Sequence, residues 1–120
     1  MQERKLERTT TFEKRSLCHH QLRVWHKAIA LVKLVQASPI GDAELLDQAG
    51  RACRSVALNI AEGAAMSGAA KRRHYVIARG SVVETAAAYE LARAIGESVA
   101  TNEVVELAAE ISAILNALVR

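Results

Sequence analysis

The chain has 120 residues, 51% of them hydrophobic and 24% charged, with a formal net charge of +3. That is the size of one globular domain and too short for two ordinary ones. Phe12, Trp25, Tyr75 and Tyr89 are the only aromatic residues and Pro39 the only proline, which argues against sandwiches and barrels and for helices packed through small side chains.

Residues 1–20, MQERKLERTTTFEKRSLCHH, are polar and show no sustained periodicity. They read as a flexible basic arm ahead of a domain spanning 21–120. The arm has no apolar stretch of the kind a secretory signal needs, and no run reaches the roughly 18 apolar residues of a membrane span. Cys18 and Cys53 lack a C-x-x-C spacing, so both are expected to be free thiols in a reducing cytoplasm.

A first helix is expected from about Leu22 to Ala37. Leu22, Trp25, Ile29, Val32 and Val35 share one face, and Val24, Leu31 and Leu34 widen it. Ser38-Pro39-Ile40-Gly41 ends it, because proline disfavours helical backbone in the residue before it. Asp42 then suits the N-cap of a second helix, with Glu44 in its first turn. Leu45, Leu46, Ala49, Ala52, Cys53, Val56 and Ile60 form its apolar arc. Arg51 and Arg54 lie opposite, and Asn59 sits at the boundary. Gly63 and the run to Gly68 are expected to end or kink this helix.

The third helix is expected to start near Ser67 and to stop at Gly96. Tyr75, Ala78, Val82, Ala86 and Tyr89 make one apolar stripe. Ile77, Ala88, Leu91 and Ile95 make a second, and Arg72, Arg79 and Glu90 form a polar strip between them. A helix with two apolar faces in so small a domain points to contact with another subunit. A fourth helix, capped by Thr101, carries the stripe Val104, Leu107, Ala108, Ile111, Ile114, Leu115 and Leu118. The pattern is all-α, an up-and-down antiparallel four-helix bundle.

Catalytic chemistry finds little support in the residues. A bundle metal site needs Glu-x-x-His pairs on facing helices, and the chain has neither these nor H-E-x-x-H; His26 and His74 stand alone. Neither Ser55 nor Ser81 lies in G-x-S-x-G, and the isolated glycines form no phosphate-cradling loop. No enzyme activity, cofactor or metal is therefore expected. A helix-turn-helix around Arg54-Ser55-Val56-Ala57-Leu58-Asn59-Ile60 lacks the turn glycine that would precede it.

Charge is more informative. Residues 1–80 hold 14 Lys/Arg against 7 Asp/Glu, while residues 81–120 hold 2 against 6. The arginines outnumber the lysines 11 to 5, and guanidinium groups suit phosphate through paired planar donors. Arg51, Arg54, Lys71, Arg72, Arg73 and Arg79 are the candidate contacts to RNA or DNA, and a ring of subunits would multiply them. With few aromatic residues to stack on bases, backbone charge is the expected means of contact.

Residues 48–63, QAGRACRSVALNIAEG, resemble the RA-x-x-S-[IV]-x-x-N-I-A-E-G signature of the four helix bundle protein family, also called the 23S rRNA intervening sequence protein family. Ile77-Ala78-Arg79-Gly80-Ser81-Val82-Val83-Glu84 is similar to the family's I-A-R-G-S-x-x-E. Leu22-Arg23-Val24-Trp25-His26-Lys27-Ala28 is similar to its opening L-x-V-W-x-K-A. The sequence departs from the pattern at His74 and Tyr75, where Phe-Leu is usual, and at Thr85, where leucine is common. The resemblance implies a non-enzymatic bundle that assembles as a ring, typically a pentamer. Some members are encoded in ribosomal RNA intervening sequences; others serve retroelements and bind nucleic acid and a reverse transcriptase. The shared Asn59, Glu62, Ser81 and Glu84 read as a structural polar motif, with Asn59 bonding between helices and Glu62 pairing with Arg51 or Arg79. The competing reading is a scaffold whose ring surface docks another protein.

Overall fold

The computed structural model describes residues 16–120, so the first fifteen residues of the expected arm lie outside the described residues. A 3-10 turn, Cys18–Gln21, leads into α1 (Arg23–Ala37), α2 (Ala43–Ala64), α3 (Gly68–Ala94) and α4 (Thr101–Leu118). Each helix packs on its neighbours in sequence, and α4 closes back on α1. The described residues form an all-α, four-helix bundle without strands. No helix among them is long and apolar enough to cross a membrane.

The core takes Val24, Ala28, Leu31 and Val35 from α1, and Ala49, Cys53, Val56 and Ile60 from α2. Tyr75, Ala78, Val82 and Tyr89 come from α3, and Val104, Ala108, Ile111 and Leu115 from α4. Burying each large aliphatic side chain contributes roughly 1.5–3 kcal/mol. The inward face of α1 differs from the expected one. Val24, Ala28, Leu31 and Val35 are buried, while Leu22, Trp25, Ile29 and Val32 flank them half-buried. Trp25 packs half-buried against this core, its ring in an edge-to-face contact with His19 at a centroid distance of 4.5 Å. Ala28 takes the central place because a small side chain lets the helices approach closely.

Two connections are tied together at one end of the bundle. Asp42 caps α2, its side chain accepting from the Leu45 N–H at 3.0 Å. The carboxylate of Glu97, from the α3–α4 connection, accepts from the N–H groups of Gly41 and Asp42. Negative charge there also matches the positive end of the helix dipole. The Ala100 N–H donates to Ser38 Oγ at 2.9 Å. Ile40 is 2% exposed, so this connection adds a large core residue as well as a turn.

α3 ends as expected at Gly96, where φ is +97°. The Gly96 N–H bonds to Arg93 O and the Glu97 N–H to Ala92 O, both at 3.0 Å, which is the paired arrangement of a glycine-terminated helix. Thr101 is not the cap of α4. It is the first helical residue, is buried, and donates its hydroxyl to Tyr89 O. Its backbone is already helical, with Ala100 at the N-cap position, so its hydroxyl ties α4 to α3 and does not cap the helix. Ser67 occupies the N-cap position of α3, but its side chain makes no capping bond.

Tyr89 anchors α3 to the end of α1, donating its hydroxyl to Ser38 O at 2.6 Å with Val35 O at 3.2 Å. Burial, with Cys53 nearby, pushes its ionisation up to about 12 from the ordinary 10.0. An acid suppressed in this way stabilises the fold fully below pH 10 and loses that contribution as pH rises towards 12, because the unfolded chain ionises first. Alkaline unfolding should therefore be steeper in the wild type than in Tyr89→Phe. Equal slopes in denaturant titrations between pH 9 and 12 would contradict this.

Candidate functional surfaces

Asn59 and Ser81 do belong to a polar cluster, set between α2 and α3. Ser55 Oγ and Ser81 Oγ are 2.9 Å apart. The Asn59 amide nitrogen donates to Ser55 O at 3.0 Å and to Ser55 Oγ at 3.1 Å. Because a carbonyl can only accept, this fixes the amide orientation and turns Asn59 Oδ1 towards His74 Nδ1, 2.9 Å away. His74 Nδ1 therefore carries a hydrogen and donates. The histidine meets an amide oxygen, not a serine hydroxyl, so the cluster fastens two helices instead of activating a nucleophile.

Two departures from the family pattern now have physical partners. His74 is satisfied by Asn59, and the ring of Tyr75 lies on Gly63, where a Cβ would be 2.7 Å from Tyr75 Cε1. Gly63 thus sits inside α2 as a packing residue, and the helix runs on to Ala64. Thr85, the third departure, is fully buried and donates to Ser81 O at 2.8 Å; a threonine in a helix can satisfy itself in this way.

Glu62 and Glu84 do not join the cluster. Both are exposed. Arg51 pairs with Asp47 at 3.1 Å, one turn away, and Arg79 donates to Asn116 Oδ1 at 3.0 Å, so neither takes Glu62 as partner. Asp47 lies one turn from Arg51 on α2, and Arg79 reaches across from α3 to α4.

The six candidate cations do not form one patch. With Ser55 opposite Ser81, antiparallel counting at about 1.5 Å per residue puts Arg51 roughly 20 Å from Arg72 along the bundle axis, and Arg54 roughly 15 Å from it. Arg51 and Arg54 lie on the outer side of α2, near its middle. Lys71, Arg72 and Arg73 stand together at the opening of α3. Arg72 Nε donates to Val119 O at 2.8 Å, capping the end of α4, and its terminal nitrogens remain available. Arg79, one further stretch along α3, leans on α4 in the same way.

The opening of α3 is electrostatically unusual. Its first turn holds no acidic residue and no side chain caps it. The N–H groups that begin a helix have no partner within the helix, and the dipole makes this end positive. Lys71, Arg72 and Arg73 add positive charge where it is least favourable to the helix and most favourable to an anion.

The second apolar face of α3 is real in part. Ile77, Leu91 and Ile95 are exposed, joined by Val83, whereas Ala88 is 3% exposed and belongs to the core. A separate shallow groove of about 250 Å³ lies between α3 and α4, lined by Val83, Ala86, Ala87, Val105 and Ala109 among others. Gly80 is exposed, with open space where its Cβ would be. Among the described residues no group of three or more His, Cys, Asp or Glu could hold a metal ion, and Cys18 and Cys53 are free thiols. A family model described as "23S rRNA-intervening sequence protein" matches residues 20–119. No curated protein matches the chain.

Proposed function

Because the chain belongs to the 23S rRNA-intervening sequence protein family, we propose that it is a non-enzymatic, homo-oligomeric bundle that binds the backbone of RNA or DNA. The observation that carries this reading is the opening of α3, an uncapped helix N-terminus followed directly by Lys71, Arg72 and Arg73. This placement costs the isolated subunit stability, and a phosphate there relieves it. Arg79 extends the contact along α3, while Arg51 and Arg54 give a separate locus on α2. The setting is cytoplasmic, in keeping with the two free thiols.

The triple variant Lys71→Ala, Arg72→Ala, Arg73→Ala tests the reading in binding titrations on structured RNA and on duplex DNA across salt. The wild type should weaken linearly in log–log terms, and on duplex DNA the variant's slope should be shallower by roughly 2.7, about 0.9 for each lost phosphate contact. Absence of binding at low salt, or the same slope in both proteins, would refute it.

The exposed Ile77, Val83, Leu91 and Ile95 support self-association, as a ring of subunits that repeats the basic locus around its rim. Light scattering at micromolar concentration should return a multiple of the 13.0 kDa subunit mass. A monomer would move this face to the competing role, a dock for another protein such as a reverse transcriptase.

A further inference from the structure

The crevice between α1 and α2 shares only Arg54, at its mouth, with the reading above. It encloses about 360 Å³, within the span of small-molecule sites. Val32, Val35, Pro39 and Leu46 line it together with the amide of Gln36, and the buried Cys53 lies beneath. Gly50 leaves room on the α2 side, and the Arg54 guanidinium folds back across that space, 3.6 Å from where a Cβ would stand. Arg54 is near enough to Cys53 to oppose the upward push that burial gives its thiol.

The charges at the mouth are unequal in their commitments. Asp47 is held by Arg51 at 3.1 Å. The Arg54 guanidinium has no hydrogen-bonding or ion-pair partner among the described residues. The crevice therefore offers mostly apolar walls, the neutral Gln36 amide and a single uncommitted guanidinium. A guanidinium presents planar paired donors that match one carboxylate. A phosphate dianion would find only one cation there and would face the Asp47 carboxylate. A wholly apolar molecule would cover a guanidinium without satisfying it, which is costly.

We propose that this crevice binds a monocarboxylate with a compact apolar body, its carboxylate on Arg54 and its body against Val32, Val35 and Leu46. Arg54 is the one residue common to this site and the nucleic-acid reading, whose main contacts, Lys71, Arg72 and Arg73, lie roughly 15 Å away along the axis.

Octanoate titrated into the full chain, followed by NMR, tests it. Shifts should concentrate at Val32, Leu46 and Gly50, and Arg54→Gln should weaken binding at least about tenfold, the loss of roughly 1.4 kcal/mol. Arg54 is exposed, so this variant should fold, and its unperturbed spectrum serves as the check. Inorganic phosphate and 1-octanol, carrying only the charge or only the tail, should each bind at least about tenfold more weakly than octanoate. Shifts spread over Leu58, Leu91 and Ile95, equal binding by Arg54→Gln, or equal binding of phosphate or octanol would each overturn the proposal.

Discussion

Gly63→Leu should lose more than about 3 kcal/mol of stability, or fail to fold, when unfolding is followed in urea. A Cβ at this position would stand 2.7 Å from Tyr75 Cε1, 2.9 Å from Cδ1 and 3.2 Å from the Cβ of His74. The contact is unforgiving because the Tyr75 ring is 3% exposed and His74 is held by Asn59. Neither can move without opening the α2–α3 interface. Gly63→Ala is the finer test. Helix propensity favours alanine by up to about 1 kcal/mol, while overpacking costs roughly 1–3 kcal/mol. The net effect should be a loss in the wild-type background and a gain once Tyr75→Ala has removed the ring. An alanine that stabilises the wild type would mean that the ring gives way.

Ile40→Ala is expected to cost about 2–5 kcal/mol, the range for deleting a fully buried aliphatic side chain and leaving a cavity. Ile40 sits in the α1–α2 connection, yet its side chain fills the end of the core beneath the bonds from Tyr89 to Ser38 O and from Ala100 to Ser38 Oγ. Its neighbour Pro39 is exposed, so Pro39→Ala should change stability by less than about 1 kcal/mol, mostly through a looser unfolded chain. Urea melts of the two variants separate the roles. Similar losses would show that the turn, not the side chain, is what holds this end together.

These two residues mark where sequence reading stopped short. Ser38-Pro39-Ile40-Gly41 was legible as a break because proline and glycine act on their local backbone. Burial of Ile40 depends on Glu97, Ser38 and Ala100 meeting across the chain, which no local pattern carries. The run from Gly63 to Gly68 was legible as an end for the same reason, and α2 does stop there, at Ala64, but the packing role of Gly63 was not legible. Its actual partner, Tyr75, lies in the next helix, and only the antiparallel register places the ring on it. Thr101 had the right chemistry for a cap, but the helix begins one residue earlier than a Thr101 cap would need, and its hydroxyl donates to Tyr89 O.

The candidate surfaces divide in the same way. Asn59 at the edge of an apolar arc was a readable sign of an interhelical bond. That His74 would complete it was not, since the two are fifteen residues apart in sequence and on different helices. The cations were all visible, but their separation into a middle locus and an end locus was not. Arg54 changed most: a residue of a supposed basic stripe stands at the mouth of an apolar crevice.

Composition and periodicity by themselves determined four helices, their approximate ends, the glycine stop at Gly96 and the Asp42 cap. Each of these follows from backbone geometry within a turn or two of the residue concerned. The quoted motifs determined the family. Tertiary structure alone decided which arc of α1 faces inward, which polar residues pair, and where the uncommitted charges stand. Those outcomes are competitions between partners from different helices, and a side chain's nearest acceptor is set by register and packing instead of by its neighbours in the chain.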